Sequence, residues 1–254
     1  MIGIAKLKRF PNWYGRNRAV LFGRRVLRLK TPKALISFTF DDFPRSAYLV
    51  GGAILNKYGA KGTYYASLGL MGKEHASSSI VSLEELRELV NDGHELGCHT
   101  YDHIDAWEGD PESFERSILK NQVTLKQILP QVVFKTLSYP RKEPHPRIKR
   151  IAEKYFKCCR GGGQTFNIGK VDLNLLRSCF IDWKNRENLS LLKELIDKNK
   201  EEKGWLIFST HDLCDNPSPF GCRPGYFEEI VRHAVNSGAS VLPIYEAFLS
   251  IHTG

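Results

Sequence analysis

The chain is 254 residues long, 42% hydrophobic and 26% charged, which excludes a disordered or fibrous protein and allows a full hydrophobic core. Its net charge of +9 is concentrated: residues 1–33 hold ten Lys or Arg and no acidic residue, leaving 27 basic against 28 acidic residues in the remainder. A near-neutral body argues against an enzyme of nucleic acids, whose active face needs positive charge to meet phosphates, and no apolar run reaches the roughly 18 residues of a membrane span.

Residues 1–33 read as a basic arm. Residues 11–15 form a turn carrying Trp13 and Tyr14, and Val20-Leu21-Phe22 and Val26-Leu27 are interleaved with arginines. This suits a solvated extension packing a few aromatics on the domain. It also suits an anchor on an anionic membrane, where arginines meet headgroups and Trp or Phe inserts, or an RNA-binding arm. The N-terminus lacks the apolar stretch and cleavage site of a signal peptide. The six cysteines include no CxxC pair, so reduced, mostly buried thiols of a cytoplasmic protein are expected.

From residue 34 strands and helices alternate. A β-rich run over 34–40 ends in Asp41-Asp42, followed by a helix over 46–57 that Tyr58-Gly59 stops and a strand over 62–66. Ser82 and Glu85 form a capping box that starts a helix running to Asp92, with Gly93 as its stop. A short strand over 94–98 precedes a helix from Pro111 to about Leu129. The pattern continues with a strand over 132–137, a helix over 145–155 and a short strand over 156–159. After a glycine-rich loop over 161–170 come a strand over 175–181, a helix over 188–200 and a buried strand over 205–209. The last elements expected are a helix over 224–236, ended by Gly238, and a strand over 240–242. No internal repeat occurs. Such an alternation predicts a parallel α/β sheet, open or closed as a barrel, in one domain spanning 34–254.

Polar clusters follow five of these strands: Asp41-Asp42, His99 to His103, Tyr139-Pro140-Arg141, Asp182-Trp183 and His211-Asp212. In a parallel barrel that is the catalytic end. Adjacent carboxylates repel unless a cation favours their ionised forms, although Asp-Asp-Phe-Pro is also good turn chemistry. His99 and His103 stand at i, i+4, a ligand spacing that solvated pairs also show. With Asp42 they make a three-ligand divalent site with positions open to water and substrate. Asp41 is then free to act on the water. His211 can be a satisfied core residue or a catalyst, and Asp212 can cap a turn. His94 precedes its strand and belongs to the opposite end, while His75, His145, His233 and His252 read as structural.

The run Ser37-Phe38-Thr39-Phe40-Asp41-Asp42 resembles the first motif of NodB-type polysaccharide deacetylases, carbohydrate esterase family 4. His99-Thr100-Tyr101-Asp102-His103, about 57 residues on, resembles their second motif; Asp182-Trp183 resembles the fourth and 206–211 the fifth. The resemblance covers roughly residues 34–250. It implies a distorted parallel (β/α) barrel of about seven strands, with the basic arm in front, and hydrolysis of an N-acetyl group from an amino sugar. It further implies one divalent ion on Asp42, His99 and His103. Zinc is expected, and cobalt, nickel and manganese are the other ions such a set accepts. By the same resemblance Asp41 is the base, His211 the acid and Asp182 the carboxylate that holds His211. Trp183 walls the pocket, with Tyr139 and Pro140 beside it, and the Arg141 N–H faces the oxyanion. The third motif departs from the family pattern Arg-x-Pro-Tyr: Ser138 stands where the arginine belongs and Arg141 where the tyrosine belongs. Arg141 and, by position, Arg160 are the candidates to orient Asp41.

The expected substrate is an N-acylated sugar, nucleotide- or lipid-linked or an oligosaccharide, in surface polysaccharide synthesis, with peripheral membrane contact through residues 1–33 and no nucleic acid. The alternatives are a deformylase or other non-peptide amide hydrolase on the same scaffold, and a non-catalytic sugar-binding relative.

Overall fold

The computed structural model describes residues 19–75, 78–141, 143–182 and 188–252. Strand β1 (Val26–Arg28) precedes β2 (Leu35–Phe40), β3 (Thr63–Ala66) and a small antiparallel pair, β4 (Glu74–His75) and β5 (Ser78–Ser79). The later strands are β6 (Glu95–Cys98), β7 (Thr136–Ser138), β8 (Cys158–Arg160), β9 (Lys170–Asp172), β10 (Cys179–Phe180), β11 (Trp205–Thr210) and β12 (Ser240–Val241). The main sheet runs β10-β11-β2-β3-β6-β7-β8, all parallel, with β12 also on β2. A parallel bridge from Arg160 to Leu176, just before β10, brings the two ends of that order together. This is the expected distorted barrel, with seven strands in its order.

Strand periodicity sorts the side chains into two populations. Ile36, Phe38 and Phe40 of β2 face the helices, where Phe38 stacks on Phe208 and meets Phe227 edge-on. Leu35 belongs to a second cluster with Trp205, Ile207 and Cys158, and Ser37 between them accepts the Trp205 indole N–H. Gly97 of β6 is required by this interior: a Cβ there would lie 2.4 Å from the Tyr65 ring.

The helices begin where their sequences place caps. Ser82 and Glu85 form a reciprocal capping box before Leu83–Asn91. Asp110 caps Pro111–Ile128 and His145 caps Pro146–Tyr155, each with proline at the first turn. Asn188 caps Leu189–Glu201, and Pro224 opens Pro224–Asn236.

Four expectations change, and one of them is the strand over 175–181, which is reduced to β10. The helix over 46–57 is a π-helical segment, Ala47–Gly52, continuing as Ala53–Lys57. Gly51 sits there against Phe40, where a Cβ would stand 2.9 Å from the ring, so the wider turn accommodates a close approach. The strand over 132–137 is reduced to β7, because Val132 closes a turn onto Leu129. A final helix, Ile244–His252, was not anticipated; Ile244, Ala247 and Ile251 join the second cluster beside Leu35 and Trp205.

Residues 19–33 are laid along the barrel. β1 pairs antiparallel with β9, and the buried Lys149 ammonium donates to the Ala19 and Phe22 carbonyls and to Asp172. Residues 1–18 lie outside the described residues. Among the described residues no helix is long and apolar enough to cross a membrane.

Candidate metal centre and active site

Strands β2, β6, β7, β8 and β11 deliver the polar residues to one end of the barrel. Asp41 continues the inward parity of β2, its N–H donating to the Thr210 carbonyl of β11. Asp42 and Phe43 then adopt φ values of 58° and 53°, and Thr100, His103 and Arg141 are also in the left-handed region. Non-glycine residues avoid this region, and the β-branched Thr100 most of all. Their clustering on three loops at one rim is backbone strain held where side chains must converge.

Asp42, His99 and His103 converge, each offering a ligand atom within 4.8 Å of the others. Asp42 Oδ1 lies 3.0 Å from His103 Nε2 and 3.4 Å from His99 Nε2. His99 Nδ1 is 2.8 Å from the Ser138 carbonyl. A carbonyl only accepts, so Nδ1 carries a proton, and in the neutral ring Nε2 then keeps the lone pair, the tautomer of a metal ligand with its outer partner in place. Asp42 Oδ1 is buried and, close as it is to the two rings, has no aligned hydrogen-bond donor among the described residues. An orphaned carboxylate oxygen facing an imidazole lone pair is costly in a protein interior and is resolved by a cation between them. The donor set, one carboxylate and two imidazoles, fits a catalytic divalent ion.

Asp41 is not part of that set. Its Oδ1 accepts from the Arg160 guanidinium, which also donates to Ser138 Oγ. Arg160 is 2% exposed and lies over the Tyr65 ring. β7 and β8 pair Ser138 directly with Arg160, so the arginine reaches the base from the strand beside the departed third motif. Burial alone would raise the Asp41 carboxyl; Arg160, with His99 and His211, outweighs it and holds the group below the usual carboxylate range. Asp42 is likewise lowered, its burial outweighed by the His103 and His99 imidazoles. Burial would lower His99, but the Asp42 and Asp41 carboxylates raise it, whereas burial prevails at His103 and lowers it.

His211 ends the opposite side of the site, Nε2 3.7 Å from Asp42 Oδ2. Its N–H donates to the Phe220 carbonyl and its ring stands 5.4 Å from the exposed Phe220 ring. Its buried Nδ1 has no hydrogen-bond partner among the described residues, so the expected support from Asp182 is not formed here. Asp182 itself is buried just after β10. Trp183 lies outside the described residues. Arg141 is exposed, so its side chain does not orient the base. Tyr139 requires correction as a substrate residue. Ser138 faces inward, Tyr139 therefore faces outward, and its hydroxyl donates to the Asn174 carbonyl beside Phe114. Pro140 is buried, its carbonyl accepting from Ala106.

Two supporting residues were missed. Ser117 accepts from the Tyr101 and Asp102 N–H groups, and Asn121 donates to the Ala66 carbonyl and Cys98 Sγ while accepting from Leu68. Both are buried polar residues on Pro111–Ile128, one turn apart, and polar positions on the apolar face of that helix were the available signal.

The polysaccharide deacetylase family model matches residues 28–155. Comparison with curated proteins finds no match. Among solved structures, the chain is similar to a candidate polysaccharide deacetylase from Mycobacterium smegmatis, at 14% identity and TM-score 0.63, over 89% of this chain and 93% of that one. It is similar to a family 4 acetyl xylan esterase from Clostridium thermocellum in complex with a cobalt ion, at 21% identity and TM-score 0.56, over 85% and 90%. It is also similar to BA3943, a pseudoenzyme of carbohydrate esterase family 4 from Bacillus anthracis, at 14% identity and TM-score 0.58, over 87% and 67%. These likenesses show the shared fold. With the family match over half the chain, they lead to one conclusion: the chain belongs to the polysaccharide deacetylase family, carbohydrate esterase family 4, a family of hydrolases.

Proposed function

We propose that this protein hydrolyses the N-acetyl group of an amino sugar, in an oligosaccharide or a lipid- or nucleotide-linked precursor, with one divalent ion held by Asp42, His99 and His103. Since a pseudoenzyme shares the fold, the fold alone does not carry this reading. The observation that carries it is the buried Asp42–His99–His103 set beside a second carboxylate, Asp41, which an arginine holds outside the set. Zinc is proposed, and cobalt, nickel and manganese suit the same donors.

When bound, the ion supplies polarisation of the acetyl carbonyl and acidification of water. Asp41, kept ionised and aimed by Arg160, takes the proton from the attacking water. The Arg141 N–H, presented by a left-handed residue at the rim, is proposed as an oxyanion donor. His211 in its protonated form donates to the leaving nitrogen, with Asp182 proposed to turn toward it when substrate binds. The C–N bond breaks, water supplies the hydroxyl and proton, and the products are acetate and a free amine. Residues 34–254 form the catalytic unit in this reading. Cys98, Cys158, Cys159, Cys179 and Cys214 form no disulfide, which suits the reducing cytoplasm proposed as its compartment.

The test is acetate release from an N-acetylated amino-sugar oligosaccharide by zinc- or cobalt-loaded protein. Asp41→Asn is expected to lower the rate by about 100-fold or more while the metal stays bound. Formate release from N-formyl sugars, without acetate release, would move the assignment to a deformylase. Neither product with any N-acylated sugar would sink the reading.

A further inference from the structure

The described part of the arm exposes an apolar surface among positive charges. Leu21 is 63% and Phe22 55% exposed, with Val20 and Val26 also exposed. Arg24, Arg28 and Lys30 are exposed around them, and Arg147 and Arg150 on the neighbouring helix Pro146–Tyr155 are exposed as well. The backbone beneath is fixed. Lys149 holds the Ala19 and Phe22 carbonyls. Gly23, at φ 63°, approaches the helix so closely that a Cβ would meet the Pro146 carbonyl at 3.0 Å. The nearby acids are engaged, Asp172 by Lys149 and Glu153 by Asn174. Large apolar side chains are therefore held in water by a rigid support.

The part of this surface over residues 20–23 lies toward the catalytic end, and Leu29 and Thr31, bonded to Gly169 and Lys203, lead away from it. Helix Pro146–Tyr155 begins there, after the rim residues Pro140 and Arg141. His145, its cap, donates its N–H to the Ala106 carbonyl, and its ring faces Trp107 at 5.5 Å. Ala106 and Trp107 belong to the loop leaving His103. Metal centre and apolar residues are thus joined by one short path of contacts along the rim.

We propose that Val20, Leu21, Phe22 and Val26, with Arg24, Arg28, Lys30, Arg147 and Arg150, dock the protein on an anionic lipid bilayer, placing the catalytic rim beside the surface where a lipid-carried sugar is presented. Charge complementarity selects the occupant: the side chains that would insert are ringed by cations, and residues 1–18 add five basic and no acidic residues. The purpose of docking rests on the deacetylase reading; docking itself does not.

The full chain is sedimented with phosphatidylglycerol or phosphatidylcholine vesicles, without substrate. It should pellet with the anionic vesicles and not the zwitterionic ones, and release as salt is raised. Leu21→Asp/Phe22→Asp and, separately, Arg24→Glu/Arg28→Glu should each weaken binding on the order of tenfold or more. Both variants should keep wild-type acetate release from a soluble oligosaccharide, or wild-type metal content if no acetate is released, so loss of docking and loss of fold read differently. Equal binding to both vesicle types, or undiminished binding by either variant, overturns the proposal. So does retention on RNA without pelleting on phosphatidylglycerol. Docking as described with no acetate release supports the proposal and counts against the deacetylase reading alone.

Discussion

The two ends of the barrel each set a carboxylate beside a histidine, and they treat the carboxylates in opposite ways. At the end where the strands begin, Glu95 accepts from Thr63, Thr136 and the Tyr245 N–H, and His94 accepts from the Gly62 N–H. At the end where they finish, Asp42 Oδ1, Arg160 Nε and His211 Nδ1 are buried without hydrogen-bond partners. Burial raises the Glu95 carboxyl despite its partners, while Asp41 is held low by Arg160 with His99 and His211, and Asp42 by its contacts with the His103 and His99 imidazoles. Glu95, with both oxygens engaged, closes the floor beneath the helix Ile244–His252, where His94 keeps one buried nitrogen, Nε2, without a partner among the described residues. Unsatisfied groups leave the rim an appetite for a cation, a water and a substrate. The carboxylates therefore mark structure at one end and chemistry at the other, and hydrogen-bond completeness tells those two apart.

The largest effect expected separates the ends through Arg160. Arg160→Ser should lower the rate of acetate release by about 100-fold and, by leaving Asp41 buried without its partner, destabilise the fold by about 3–5 kcal/mol. Since Ser138 pairs in register with Arg160, Ser138→Arg/Arg160→Ser returns the guanidinium to the strand where the third motif usually carries it. Recovery of at least part of the rate in the double variant is expected; a purely structural arginine would leave the double variant as inactive as the single one.

Glu95→Ala probes the closed end. It strands two hydroxyls and an N–H, so a loss of about 2–4 kcal/mol in urea unfolding is expected, with metal content unchanged. Loss of metal along with stability would contradict the separation of the two ends.

The smallest effect concerns His94. Burial, with Lys61 nearby, lowers it to about 4. The unfolded chain then takes up the proton first as pH falls. Stability is complete above about 6.5 and is lost between there and about 4, by about 1–3 kcal/mol. His94→Asn keeps an acceptor for Gly62 but does not titrate, so its unfolding midpoint should lose less between pH 7 and 5. An identical loss in both proteins would remove His94 as the cause.

Much of this was legible in the sequence, and the gaps have physical reasons. Asp42 and His99 could be picked out because each follows an apolar strand, and His103 because it stands four residues beyond His99; strand ends share one rim in a parallel barrel. Tyr139 was misread because position after a strand was used without parity: one residue past the inward Ser138, it faces the helices. Arg160 remained one candidate of two because neighbourhood between β7 and β8 is tertiary information. An arginine ending the apolar run after Cys158-Cys159 was the available hint. The helix Ile244–His252 carried a readable spacing of Ile244, Ala247, Phe248 and Ile251. The π-helical turn was not readable, since it depends on Gly51 meeting Phe40 across the fold.

Whether Asp42, His99 and His103 share one cation is read from the metal content of the purified full chain after incubation with zinc and exhaustive dialysis. A single divalent ion per chain is expected, lost in Asp42→Ala/His99→Ala and retained in Asp41→Asn. No bound ion in the wild type, or an ion that survives removal of Asp42 and His99, would contradict it.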